Sequence, residues 1–169
     1  QYLQSLSSTS SGSRKVSVFY LLNPAAGTDT VTVSLTGTGN AAAIAESFLN
    51  VGNVLPVATA ANGASGTPSV TVSGTTEDDL VVDFVAPYNL TPGSGQTTIG
   101  AVNQISGPEI QSSAEAGQSS SVTMSWSTAT NWALVGVRIT GISTPSSAPV
   151  IDTVTTAVGN GPLSWSHST

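Results

Sequence analysis

Hydrophobic and polar residues alternate with a period of two along much of this chain, a pattern that predicts β-strands with one buried and one exposed face. The clearest examples are the segments 30–36 and 121–127, and a shorter one is 69–73. The residues expected to point inward are Val31, Val33 and Leu35 in the first segment, and Val122, Met124 and Trp126 in the second. Their outward neighbours are almost all Ser and Thr, so the exposed faces should carry hydroxyl groups.

Three further segments, 16–22, 80–86 and 132–139, are more continuously apolar. Such runs are typical of central strands that are covered on both faces. Leu80 and Val82 are therefore expected in the core. In the third run a single face is formed by Ala133, Val135, Val137 and Ile139. The segment 41–48 fits either a helical turn or a strand.

Turn-forming residues separate these runs at short and rather even intervals, for example Asn23-Pro24, Asn62-Gly63 and Gly107-Pro108. Short strands with this punctuation favour an antiparallel sandwich and not alternating βαβ units. We predict an all-β protein: an antiparallel β-sandwich, jelly-roll or immunoglobulin-like, with a C-terminal β-strand extension.

The composition changes near the C-terminus, where residues 143–149 read STPSSAP. A stretch rich in Pro and Ser is typical of a semi-extended linker. We therefore divide the chain into a sandwich domain at 1–143, a linker at 144–149 and a strand extension at 150–169. An apolar strand that follows a finished domain is an unpaired edge, so the extension is expected to pair with a neighbouring module or subunit. The residues expected to insert there are Val150, Val154, Leu163 and Trp165.

Charge excludes several classes of function. Only 7% of the residues are charged, the net charge is -6, and the only cations besides the single His are Arg14, Lys15 and Arg138. Three cations cannot neutralise a run of phosphates, so neither nucleic acid nor an anionic membrane surface is an expected partner. The chain has no cysteine, hence no disulfide and no thiolate. No apolar window is long enough for a membrane span, and the start on Gln1 suggests a mature or excised piece.

The residues that could support catalysis or metal binding are few. His167 lies between Ser166 and Ser168, but adjacent residues of a strand point to opposite faces, so a nucleophile–base pair is not expected there. The acidic turn 77–79 with Asp83 offers oxygen ligands for calcium, but its spacing matches no EF-hand loop, and a charged turn before the strand 80–86 explains it without a metal. Glycoside hydrolysis would need two facing carboxylates; Glu46, Asp83, Glu109 and Glu115 are available, but nothing in the sequence brings two of them together. We expect no enzyme activity, no catalytic or metal site and no cofactor.

Two adjacent residues suggest contacts with sugars. Tyr88 follows an apolar strand in a Pro-Tyr-Asn loop and is the best candidate for an exposed aromatic that stacks on a pyranose ring. Asn89 begins the sequence Asn-Leu-Thr, an acceptor site for an N-linked glycan. Glycans are therefore expected partners of this loop, either bound or covalently attached.

The strings at 16–40, 67–74, 79–86, 121–127 and 131–139 occur in a recognisable order. They resemble the Ser/Thr-rich, jelly-roll-like β-sandwich modules, often found in tandem, of large secreted or surface proteins of bacteria and environmental microbes. This resemblance covers nearly the whole chain. It implies an extracellular or cell-surface location and a structural or adhesive role.

The order differs from that of these modules in one respect. A segment like LSWSH, here 163–167, opens those modules, whereas in this chain it follows the linker. The chain therefore resembles a module in permuted register that carries the first strands of the next copy. This implies either a slice of a tandem array or a filament subunit joined by donor-strand complementation, with copies of the chain itself as partners. The expected function is that of a non-catalytic structural protomer; the alternatives are a carbohydrate-binding or adhesive module and an accessory domain of a secreted hydrolase.

Overall fold

The computed structural model describes residues 4–25, 27–33, 41–52, 56–103, 107–142, 148–158 and 161–167, of which 28–29, 157–158 and 161–167 are described by their backbone alone. The strands of the first half are β1 (Gln4–Ser11), β2 (Arg14–Tyr20), β3 (Gly27–Val33), β4 (Ala42–Leu49), β5 (Val57–Gly66), β6 (Ser69–Thr75) and β7 (Leu80–Ala86). Those of the second half are β8 (Thr97–Asn103), β9 (Glu109–Ala116), β10 (Ser120–Ser125), β11 (Ala129–Ile139), β12 (Val150–Val158) and β13 (Gly161–His167). Every pairing between them is antiparallel, which confirms the predicted all-β class. No helix that could cross a membrane occurs within the described ranges.

A five-stranded sheet in the order β5-β11-β7-β9-β8 forms the centre of the molecule. Its two most apolar strands, β7 and β11, are buried along most of their length. Because both faces of these strands are covered, the prediction that the continuous apolar runs 80–86 and 132–139 form central strands is confirmed. The same prediction is wrong for the run 16–22, because β2 lies in a two-stranded pair with β1 and its Phe19 is exposed.

The first face of the central sheet is covered by the β6–β10 pair. Val122, Met124 and Trp126 alternate inward as predicted, each with at most 2% of its surface exposed. The other buried residues of this first core are Val70, Val72, Val81, Val85, Ala129, Trp132 and Leu134. Burial of these aliphatic and aromatic side chains is the main stabilising contribution on this side.

The second face is covered by two other strand pairs, β1–β2 and β4–β12. The face predicted for the end of β11, formed by Ala133, Val135, Val137 and Ile139, lies in this second core. Val82 is buried there as predicted, while Leu80 is only half-buried at its margin. The molecule therefore has three layers with one core between each two adjacent layers. The ambiguous segment 41–48 is the strand β4 and not a helical turn.

The first strand of the C-terminal extension, β12, lies on this second side. It pairs with β4, and the second strand of the extension, β13, pairs with β3. The preceding chain is held close to the end of β4, where the Ile142 N–H donates to the Asn50 carbonyl. Val31 and Val33 of β3 are half-buried, less than their alternation predicts, and Leu35 lies outside the described residues.

Candidate assembly strand and buried carboxylates

The register between β12 and β4 is specified by both backbone and side chains. Val150 lies opposite Leu49 and Val154 opposite Glu46, with a bulge between Ile151 and Thr153. At the bulge, the Ser47 hydroxyl donates to the Asp152 carboxylate at 3.0 Å and accepts from the Thr153 N–H at 3.2 Å. A side-chain hydroxyl therefore replaces the ladder hydrogen bond where the strand is irregular, which fixes the position of β12 along β4.

The four residues predicted to contact a neighbour are placed differently. Val150 is 53% exposed, whereas Val154 lies over β8, where a Cβ added to Gly100 would come within 3.2 Å of its Cγ1. Leu163 and Trp165 have their backbones opposite Val31 and Asp29, and their side chains lie outside the described part. In this single chain the extension pairs with its own β4 and β3, so its pairing with a neighbour stays a prediction.

A buried carboxylate, Asp83, lies in the first core between the central sheet and β10. Its Oδ1 accepts hydrogen bonds from the Ser113 hydroxyl at 2.7 Å and the Ser113 N–H at 3.1 Å, and its Oδ2 accepts from Trp126 Nε1 at 2.6 Å. Burial raises the pKa of Asp83 to about 7, although its hydrogen bonds to Ser113 and Trp126 partly oppose this rise. Near neutral pH this carboxyl can therefore both accept and release a proton.

A second buried carboxylate, Glu46, lies on the opposite face of the same sheet. It accepts a hydrogen bond from the Ser112 hydroxyl, while its Oε2 is buried without a partner. Burial raises the pKa of Glu46 to about 7; the Ser112 hydrogen bond lowers it, and repulsion from Asp83 raises it. No sequence pattern predicted that these two carboxyls lie near each other. Consecutive serines of β9 bring them together, because Ser112 contacts Glu46 on one face of the sheet and Ser113 contacts Asp83 on the other.

The acidic turn 77–79 is built around an ion pair. Asp79 is fully buried, and its Oδ2 accepts from Arg138 Nε at 2.9 Å and from the Thr76 N–H at 2.7 Å. Glu77 and Asp78 are exposed. Within the described residues no three His, Cys, Asp or Glu side chains come together as metal ligands would.

The loop after β7 carries the predicted sugar-contacting residues. Tyr88 is half-buried, and Asn89 is exposed with a left-handed φ of 67°. The loop is anchored by Gln111, whose side-chain amide accepts from the Leu90 N–H at 2.7 Å and donates to the Leu90 carbonyl at 3.3 Å. Asn89 is therefore exposed on a loop that Gln111 anchors. The side chain of His167, another candidate considered from the sequence, lies outside the described part.

Sequence reasoning missed the hydrogen-bonded set around Asp83, including Gln96. One signal was available, because Asp83 interrupts the apolar run LVVDFVA at a position whose neighbours on the same face are buried valines. A carboxylate in such a position requires hydrogen-bond donors from the surrounding strands. Which strands supply these donors depends on the tertiary arrangement, and the local sequence pattern does not specify that arrangement.

No protein-family model matches this chain, and neither a curated protein nor a solved structure matches it. The resemblance to secreted tandem modules therefore rests on the sequence motifs and on the all-β fold alone.

Proposed function

We propose that this protein is a non-catalytic structural protomer of an extracellular or cell-surface filament, or of a tandem-repeat stalk, whose units are joined by β-strand donation. In the assembly, β12 and β13 of one unit pair with β4 and β3 of the next unit. The strands make the same pairings here within one chain. One observation carries the proposal. The extension strands are not hydrogen-bonded to the five-stranded sheet: β4–β12 and β3–β13 form two-stranded pairs of their own.

One feature of the sequence and two of the described residues support an exchangeable extension. In the sequence, the Pro- and Ser-rich stretch 144–149 directly precedes β12. The register of β12 is fixed by its pairing with β4 and by the hydroxyl of Ser47, so the same contacts specify the same position in a neighbour. Exchange of an identical element between protomers replaces each intramolecular contact by the same intermolecular one, and its cost is therefore low.

Low charge agrees with this role. A unit with few charges adds little electrostatic repulsion to a long row of identical units. The outward residues of β6 and β10 are Ser and Thr, which hydrate the surface without ions; one such pair is Thr71 and Thr123, whose hydroxyl oxygens lie 2.9 Å apart.

Disulfide trapping tests strand donation directly, because the chain has no cysteine of its own. Ala45 of β4 and Thr155 of β12 are Cα partners, and antiparallel partners lie within the span that a disulfide bridges. After oxidation of assembled material, the double variant Ala45→Cys, Thr155→Cys should give a ladder of covalent oligomers on a non-reducing gel. Monomers alone from visibly assembled fibres would refute donation between chains.

A matched control comes from the β6–β10 pair, which belongs to the core domain. Thr71 and Thr123 are also Cα partners on an exposed face. The double variant Thr71→Cys, Thr123→Cys should form its disulfide within one chain under the same conditions, and should therefore migrate as a monomer. A ladder from this control would indicate random cross-linking between fibres.

A further inference from the structure

The hydrogen bonds around Ser113 connect a hydroxyl, a buried carboxylate and a side-chain amide. The Ser113 hydroxyl donates to Asp83 Oδ1 at 2.7 Å, and its oxygen accepts from Gln96 Nε2 at 2.8 Å. The other end of the Gln96 amide, Oε1, accepts from the backbone N–H of Ser125 at 2.7 Å. Asp83 is itself held by Trp126 Nε1 through Oδ2. A nucleophile, a general base, an amide carbonyl and a hydrogen-bond donor to that carbonyl therefore meet at one place.

We infer that Ser113 and Gln96 react with each other to form an intramolecular ester cross-link with release of ammonia. Ser113 Oγ attacks Cδ of Gln96 while its proton passes to Asp83 Oδ1. The electron pair of the carbonyl moves to Oε1, where the Ser125 N–H stabilises the negative charge. When the carbonyl reforms, the Cδ–Nε2 bond breaks, the proton passes from Asp83 to the departing nitrogen, and ammonia leaves. The Oγ–Cδ bond remains, the carboxylate is regenerated, and no co-reactant is consumed.

The surroundings favour this reaction and protect its product. Ser113 and Asp83 have no exposed surface and Gln96 is half-buried, so water approaches a Ser113–Gln96 ester from one side only. The pKa of Asp83 is raised to about 7, which suits a group that must take a proton from a hydroxyl and return it to a leaving group near neutral pH. The Ser125 N–H distinguishes the two ends of the amide, so Nε2 and not Oε1 faces the hydroxyl.

A second glutamine, Gln111, is buried but lacks this set of neighbours. Gln111 is the other inward-pointing glutamine of the described chain, with 6% of its surface exposed. Both ends of its amide are hydrogen-bonded to the backbone of Leu90, whereas the Gln96 amide contacts a serine hydroxyl. Burial of a glutamine therefore does not by itself create the site; the site requires the serine, the carboxylate and the backbone donor together.

The cross-link would join the start of β8 to β9. β8 is an edge strand of the central sheet and lies beneath the β4–β12 pair. In a chain without cysteine, an ester is a covalent link that does not depend on the redox state of the surroundings.

Mass spectrometry of the intact chain tests the inference. The folded protein, incubated at about pH 8, should lose about 17 Da relative to its sequence, the mass of one ammonia. Cyclisation of Gln1 would cause the same loss, so the location must be established. Trypsin cleaves after Arg14, Lys15 and Arg138; the fragment 16–138 should therefore carry the loss. Full sequence mass for this fragment, from protein that is folded by circular dichroism, would overturn the inference.

Variants separate the ester from other losses of ammonia. The loss from fragment 16–138 should be absent in Ser113→Ala, which lacks the nucleophile, and in Gln96→Glu, which keeps the shape of the side chain but has no ammonia to release. It should persist in Gln118→Glu, an exposed glutamine that contacts Glu115. A loss that persists in Ser113→Ala would identify succinimide formation at an asparagine such as Asn62 and would also overturn the inference.

Discussion

Trp126 Nε1 donates a hydrogen bond to Asp83 Oδ2 at 2.6 Å across the first core, and so joins the residue that follows β10 to the middle of the central sheet. Both side chains are almost completely buried. A buried carboxylate is stabilised only as long as its donors are present. This pair should therefore be one of the most sensitive points of the fold.

We expect Trp126→Phe to reduce the free energy of unfolding by about 1–3 kcal/mol more than Trp132→Phe does, because it leaves a buried acceptor without its donor. Trp132 is a suitable control, since it lies in the same core and donates only a long hydrogen bond of 3.4 Å to the Ser65 carbonyl. Urea unfolding monitored by circular dichroism measures both. Equal losses would show that only ring volume matters at position 126.

The two buried carboxyls predict an unusual dependence of stability on pH. Their pKa values rise from 4.5 for Glu46 and 3.8 for Asp83 to about 7 on folding, so between these values the folded state binds more protons than the unfolded state. Their contribution is fully present below the lower values and is lost as the pH rises through about 7. Each group should contribute about 3–4 kcal/mol to this change.

Unfolding in urea at a series of pH values between about 4 and 8 measures this dependence. Glu46→Gln should flatten the profile, because its side chain no longer titrates, whereas the exposed Glu77→Gln should keep the wild-type profile. Stability that rises steadily with pH over this window would contradict the burial argument.

Gly136 provides a test of packing in the first core. A Cβ at this position of β11 would lie 2.9 Å from both Val70 Cγ1 and Val72 Cγ2, and these valines are stiff and buried. We expect Gly136→Ala to destabilise the fold by about 1–3 kcal/mol, because β6 has to move away from the central sheet. Thermal unfolding checks this against Ser73→Ala on the exposed face of β6. No difference between the two variants would mean that the layers are loosely packed.

Deletion of residues 143–169 should leave a soluble but less stable domain that no longer assembles. The deletion removes Ile151 from the second core and the partner strand from β4. Negative-stain images and urea unfolding measure the two effects. A synthetic peptide of residues 148–167 should restore stability by occupying the vacated edge, and a scrambled peptide should not. Fibres formed by the truncated chain would show that the extension is not the connector.

Expression in a host that attaches N-linked glycans should modify Asn89, because its side chain is exposed on an anchored loop. The glycan should appear as added mass that peptide N-glycosidase removes. Thr91→Ala abolishes the acceptor sequence and should abolish the modification, whereas Thr91→Ser retains both. Unmodified Asn89 in the wild-type chain would refute this prediction.

The alternation of apolar and polar residues was sufficient to identify β6 and β10, and the continuous apolar runs identified β7 and the inward side of β11, because both patterns are local properties of the chain. Neither pattern predicted that the central sheet would be covered by separate strand pairs on both faces. The continuous apolar run of β7 indicated two buried faces, but which strands cover them depends on contacts between residues far apart in the chain. The Ser112–Glu46 contact, for instance, spans 66 positions.

The candidate site shows the same limit. Sequence motifs drew attention to Tyr88, Asn89 and the extension, each recognisable from a short stretch of residues. Gln96, Ser113 and Asp83 belong to no short motif, and they come together only because β9 pairs with both β7 and β8.

Two strands far apart in the chain lie on the second side of the central sheet: Leu6 of β1 and Ile151 of β12 pack against the same core. Tension applied between β1 and β12 would therefore enter and leave through that side. The β6–β10 layer on the opposite face would bear little of the load. Substitutions on its outer surface could then accumulate without weakening the molecule under stress, which makes it the face best suited to variation.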